Sequence, residues 1–265
     1  MPTIAYDLIA LACLVPAALV RWRPNDARDG WFFAALVLAA AGPLLDVATQ
    51  FAGAWRTGFA AALWLTIAVT MILFWGLVAV EKQCWRLTPI LTPVLFLLGA
   101  MATVWQHDRG RPLAATVSAG WLDAHIVFAI LTYGLITLAA VAGIAVLVQE
   151  RALKSKHRGA VARRLPPIAD AERAEIQLLV GAEVLLALNL LSGAGAEYLL
   201  RNSVMPLDHK IGFSLAAFVV LGLLLLLRWR TGIRGRRAAR WVLLAYLLLT
   251  LAYPGVKFVT DVLMV

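Results

Sequence analysis

Long apolar stretches separated by short polar ones dominate the chain. Eight are candidate membrane spans: Thr3–Val20, Trp31–Ala48, Gly58–Val80, Leu87–Trp105, Leu122–Val148, Ile176–Leu200, Ile211–Leu227 and Trp241–Leu263. A helix that crosses the hydrocarbon core needs roughly 17–25 mainly apolar residues, and the stretches match that demand. The fifth is longer than a bilayer requires and is expected to continue as helix into the loop behind it. The pattern predicts an all-α, polytopic integral membrane bundle of about eight transmembrane helices. It forms a single membrane domain over residues 1–265, with four spans in 1–120 and four in 121–265. The longest polar stretch, Glu150 to Glu175, is basic and is broken by Pro166-Pro167.

Composition agrees with lipid as the solvent. Hydrophobic residues make up 62% of the chain and charged residues 15%, whereas soluble domains average about 45–50% apolar and about 25% charged. The net charge of +9 invites a nucleic-acid reading, but its distribution rejects it. Eighteen of the 24 Lys and Arg residues fall in the loops after spans one, three, five and seven, and six fall on the opposite side. Positive charge marks the cytoplasmic side, so both termini are expected outside, in a bacterial-type cytoplasmic (inner) membrane. The cytoplasmic arginines then meet anionic lipid headgroups. The partner implied is the lipid bilayer, with no nucleic acid.

Two cysteines, Cys13 in the first span and Cys84 in a short loop, form neither C-x-x-C nor C-x-x-C-H. The chain is therefore neither a dithiol oxidoreductase nor a cytochrome with covalently attached haem. Residues Met1 to Asp7 lack positive charge and no small-residue cleavage site follows, so the first stretch reads as a retained helix.

Ionisable groups inside or beside a span are functional candidates. His157 lies in the basic loop and is read as solvated; His107, in the outer loop after span four, could be a ligand, with a plain loop histidine as the alternative. His125, about one turn inside span five, and His209, at the start of span seven, enter from the same outer face at similar depth. Two neutral imidazoles facing across a bundle make an axial pair for haem iron; interfacial histidines bonded to headgroups, water or a carboxylate are the plain alternative. Arg201, Lys210 and Lys257 lie near that face and could receive carboxylates. Snorkelling of Arg201 and Lys210, and pairing of Lys257 with Asp261, stand beside that reading. Asp123 and Asp208 adjoin the histidines as possible imidazole acceptors or as helix N-terminal charges. Glu183 is expected to be the most buried acid, with Asn189 further along the same span. Ser192-Gly193-Ala194-Gly195-Ala196 permits close approach of a neighbouring helix. Tryptophans at span ends, including Trp31, Trp121 and Trp229, read as interfacial belts.

Two segments carry a family likeness. Trp121-Leu122-Asp123-Ala124-His125-Ile126, followed by Tyr133-Gly134, resembles the W-L-x-x-H-V helix of the cytochrome c assembly family, which includes CcsA- and CcmC-type haem-handling membrane proteins. Gly232 to Ala239, with Ala252-Tyr253-Pro254-Gly255-Val256-Lys257, resembles that family's C-terminal G-W-x-G-x-R-A-A and Y-F-G region. The likeness spans roughly residues 121 to 263, and the first four spans match in hydropathy alone. The tryptophan-rich segment of haem-delivering members has no counterpart: span seven opens with Pro206-Leu207-Asp208-His209-Lys210. In this and in size the chain is similar to the small YpjD- and HemX-like branch. The resemblance implies haem binding with His125 as the best-matched ligand. The expectation is a protein that holds or passes a non-covalent b-type haem near the outer face, alongside other cytochrome assembly proteins. A non-haem accessory or scaffold subunit is the alternative, and a secondary transporter using Glu183 and Asn189 ranks last.

Overall fold

Lipid leaves each backbone N–H and C=O to be satisfied within its own segment, so the apolar stretches fold as helices. The computed structural model of the chain describes residues 2–20, 29–51, 58–105, 119–156, 159–201 and 209–259. The helices are α1 Pro2–Val20, α2 Gly30–Phe51, α3 Phe59–Val80, α4 Thr88–Val104, α5 Ala119–Lys154, α6 Ala160–Arg164, α7 Ile168–Arg201, α8 His209–Thr231, α9 Gly235–Thr250 and α10 Val256–Phe258. A 3-10 turn, Cys84–Leu87, leads into α4, and a π turn, Leu251–Gly255, joins α9 to α10. Among the described residues seven helical segments are long and apolar enough to span a bilayer, and Ile4–Leu19 of α1 is a shorter apolar helix. The chain is a polytopic helical membrane protein.

Helix α5 does run past its apolar stretch, to Lys154. Helix α7 begins eight residues before the hydropathy boundary. Pro166 and Pro167 stop a helix arriving from behind but are tolerated just ahead of a new one, and Ala169 to Glu175 are mostly good helix formers.

Helix α5 is the pillar of the bundle. Ala139, Ala142 and Ala145 are fully buried, and such small side chains let α3, α7 and α9 approach closely. Helix α1 packs on α2 and α4, and α2 and α4 pack against α3. Helix α8 lies at the periphery and buries only Ala217, Leu221 and Leu224. Buried Thr66, Thr70, Thr92, Thr132 and Thr137 each donate their hydroxyl to the carbonyl four residues earlier, which satisfies a polar group without an inter-helix partner.

Contacts across the bundle fix the alternation of helix directions. Phe258 near the end of the chain packs on Phe59 at the start of α3 and on Trp105 just after α4. Trp121 at the start of α5 donates to the Ser192 carbonyl near the end of α7. These residues share one end of the bundle. At the other, arginine-rich end, Gln177 of α7 donates to Glu81 just after α3, and Gln149 of α5 donates to the carbonyls of Leu165 and Pro166 at 3.3 and 3.1 Å.

The arginine-rich end is locked around the start of α9. The Gly235 N–H donates to Glu172 Oε1 at 2.6 Å, and the Arg236 N–H donates to Glu150 Oε1 at 3.0 Å. Two carboxylates from α7 and α5 thus cap the exposed amides of one helix N-terminus. Arg228 of α8 forms a 2.8 Å ion pair with Glu175 of α7, both side chains buried, and donates a second bond to the Glu172 carbonyl.

The fold overturns one expectation about buried acids. Glu183 is only half-buried, beside Gly222 of α8. Asp7, Asp46 and Glu175 are 3%, 2% and 1% exposed and are the deeper acids. Helical phase decides this: Glu183 shares its side of α7 with lipid-facing Val180 and Val184, while Asp7 and Asp46 hydrogen-bond each other between α1 and α2.

Candidate functional site

At the end of the bundle where Trp121 meets Ser192, a cavity of about 290 Å³ lies between α2, α3, α5, α7, α8 and the π turn. Helix α5 supplies one wall. Leu122, His125, Ile126, Ala129, Ile130 and Tyr133 recur three and four residues apart, so they form a single stripe of that helix. Leu65 of α3, Leu186 of α7 and Leu249 of α9 close the apolar sides.

His125 is held by α7. Its Nδ1 lies 2.8 Å from Ser192 Oγ, and the Ser192 hydroxyl donates to the Asn189 carbonyl at 2.9 Å. The Asn189 backbone also hydrogen-bonds the imidazole. One turn before His125, the Trp121 indole N–H donates to the Ser192 carbonyl at 2.9 Å. Two glycines make room for these rings. A methyl at Gly193 would sit 3.1 Å from His125 Cε1, and one at Gly195 would sit 2.8 Å from Trp121 Cζ2. The small-residue stretch of α7 is therefore a bed for the two rings that α5 presents.

The π turn shapes the opposite wall. Pro254 lacks an N–H and cannot continue the i→i−4 ladder, a common origin of local widening. The distortion falls where Ala252 and Tyr253 line the cavity, and Lys257 follows in α10. Tyr133 donates to or accepts from Thr250 Oγ1 at 3.1 Å, and its ring packs on Tyr246 and Tyr253 with centroids 5.8 and 6.0 Å apart. Tyr133 and Tyr253 line the cavity, and Tyr246 packs behind Tyr133. Lys210, at the start of α8, and Lys257 also line the cavity. Asn189 also lines the cavity, and its buried Oδ1 has no hydrogen-bond partner.

The fold thus brings together His125, Lys210 and Lys257 of the residues singled out from sequence. His209 is exposed at the first position of α8 and is not part of the lining. The side chain of Arg201 lies outside the described residues, as do His107, His157, Asp208 and Asp261. Asp123 is exposed, and the oxygen at His125 Nδ1 is that of Ser192. Glu183 does not line the cavity with Asn189, so the two do not share one path. Trp31 and Trp229 are largely exposed, as interfacial belt residues should be, while Trp121 combines exposure with its bond to α7. Trp55 lies outside the described residues. Ser192, Tyr133 and Tyr253 were not legible as site residues. The available signal was the pairing of W-x-x-x-H on one span with S-G-x-G on another at matching depth.

The family described as cytochrome C assembly protein matches residues 31–264. The chain belongs to that family. The match reaches back through α2 to α4, well beyond the C-terminal half that carries the recognisable motifs. Among curated relatives, an uncharacterized 28.8 kDa protein in the nifR3-like 5′ region of Azospirillum brasilense is 46% identical over 98% of both chains. Inner membrane protein YpjD of Escherichia coli K12 is 28% identical, over 71% of this chain and 69% of its own. Protein HemX of Brevibacillus brevis is 24% identical, over 60% and 59%. No solved structure matches the chain. Membership in the cytochrome c assembly family supports a role in haem handling or cytochrome c biogenesis.

Proposed function

We propose that the protein binds haem b non-covalently in this cavity and holds or passes it during cytochrome c assembly. The observation that carries the reading is one largely apolar cavity lined by a fixed imidazole and two lysines. The residues suit the cargo. Haem needs apolar walls for its macrocycle, a neutral imidazole for iron and cations for its carboxylates. The cavity volume is at the small end of ligand sites, which run to roughly 300–1,000 Å³, so it suits a cargo that is only partly enclosed and can leave.

In this reading His125 would hold the iron, and Lys210 and Lys257 would take the propionates. His209, one residue before Lys210, would be the remaining histidine candidate for the iron. The arginine-rich end faces the cytoplasm, so the cavity serves the outer side of a bacterial-type inner membrane. Other cytochrome assembly proteins are the partners this implies.

The test is spectroscopic. The full chain is produced with haem supplied, purified in mild detergent, and compared with His125→Ala and His209→Ala. The expected result is a Soret band in the parent that His125→Ala loses. A parent without a Soret band, or a His125→Ala variant with the parent's spectrum, overturns the reading.

A further inference from the structure

The contacts around His125 determine more than its position. The Ser192 hydroxyl has one proton, and that proton is donated to the Asn189 carbonyl. With its proton on that carbonyl, the Ser192 oxygen offers a lone pair to His125 Nδ1, 2.8 Å away. The Ser192 oxygen as acceptor draws the imidazole proton onto Nδ1, and the lone pair falls on Nε2. A neutral imidazole binds a metal only through the nitrogen without the proton, and the other nitrogen's hydrogen bond chooses which one that is.

We infer that Ser192 is a positioning residue that fixes His125 as the Nδ1–H tautomer and so keeps Nε2 as the donor atom available to a cavity ligand. The bond from Trp121 Nε1 to the Ser192 carbonyl anchors this stretch of α7 to α5, and Gly193 lets the ring lie flat against α7. The arrangement replaces the carboxylate that often supports a ligating histidine. A neutral hydroxyl acceptor leaves the imidazole less electron-rich than a carboxylate would, and that suits a histidine which must release its cargo. The consequence for haem rests on the function proposed above; the tautomer does not.

The experiment separates the two. Ring-nitrogen NMR is recorded on ligand-free, isotope-labelled full-length protein in lipid nanodiscs, in a background with His107, His157 and His209 changed to Gln. The expected spectrum has Nδ1 protonated and Nε2 bare. Ser192→Ala should move a major fraction to the opposite tautomer, and Ser192→Thr, which keeps the hydroxyl, should restore the parent pattern. An Nε2-protonated parent, or unchanged populations in Ser192→Ala, overturns the inference whether or not haem binds. Haem titration of the same alanine variant, with native histidines, should show an affinity about 10–100-fold weaker, the usual scale for losing a partner of a ligating histidine. An unaltered affinity beside a shifted tautomer removes Ser192 from ligand positioning.

Discussion

Replacement of Gly235 by alanine should weaken the bundle through the start of α9, and the size of the loss can be worked out. Gly235 is buried and has φ +64, where an L side chain costs about 1–2 kcal/mol. Alanine recovers about 0.4–1 kcal/mol by restricting the unfolded chain. Those terms alone leave a loss of at most about 1.5 kcal/mol. The new methyl would also land on the Glu150 carboxylate, pushing it from the Arg236 amide it caps. Loss of a capping carboxylate costs about 0.5–2 kcal/mol. The sum is about 0.5–3.5 kcal/mol, and a chain of this size should lose about 2–4 °C in Tm per kcal/mol. Gly232→Ala is the control. It has φ +68 and nothing within 4 Å of the added methyl, so it carries the backbone term without the collision. Thermal unfolding of both variants in detergent, followed by tryptophan fluorescence, should place Gly235→Ala below Gly232→Ala. Equal midpoints would refute the capping role of Glu150. The effect has a route to the site, since α9 leads into the π turn that carries Tyr253 and on to Lys257.

Three other substitutions separate site from scaffold. Gly193→Ala should leave thermal stability within about 1 kcal/mol of the parent, because helix propensity gains about 0.5–1 kcal/mol against crowding at 3.1 Å from His125 Cε1; haem titration should nevertheless weaken by tenfold or more (~1.4 kcal/mol), and an unshifted titration counts against the ring's placement. The double variant Lys210→Gln, Lys257→Gln should weaken haem more than it weakens a porphyrin lacking propionates, and equal losses for the two ligands would remove the carboxylate contacts. Arg228→Leu should cost about 3–5 kcal/mol by stranding buried Glu175, whereas Arg228→Leu with Glu175→Leu should recover most of it in the same melt; a double variant as weak as the single contradicts the pairing.

Much of the fold is legible from hydropathy, because lipid imposes helices on long apolar runs whatever their details. Helix ends are less so. Helix α7 starts in a polar segment that hydropathy skips, and its start is set by Pro166-Pro167 and by Glu172 and Glu175 reaching for α8 and α9. The site is legible in part. His125 stands out as an ionisable group inside a span, and Lys210 and Lys257 as cations near its end. Ser192 does not stand out, because a serine among glycines reads as a packing stripe until a neighbouring helix shows what lies on it. His209 shows the converse limit. Depth along a helix can be counted from sequence, but the direction a side chain takes around its first turn depends on neighbours. Glu183 shows the same limit, since apolar surroundings in sequence do not tell the bundle interior from the lipid side.

The central claim is that His125 holds haem iron. Pulsed EPR of the ferric haem-loaded protein carrying isotope-labelled histidine measures that bond directly, through hyperfine coupling between iron and an axial imidazole nitrogen. The account predicts the coupling in the parent, its retention in His209→Ala, and its loss in His125→Ala. Coupling that survives in His125→Ala, or a parent whose iron shows none, contradicts the account.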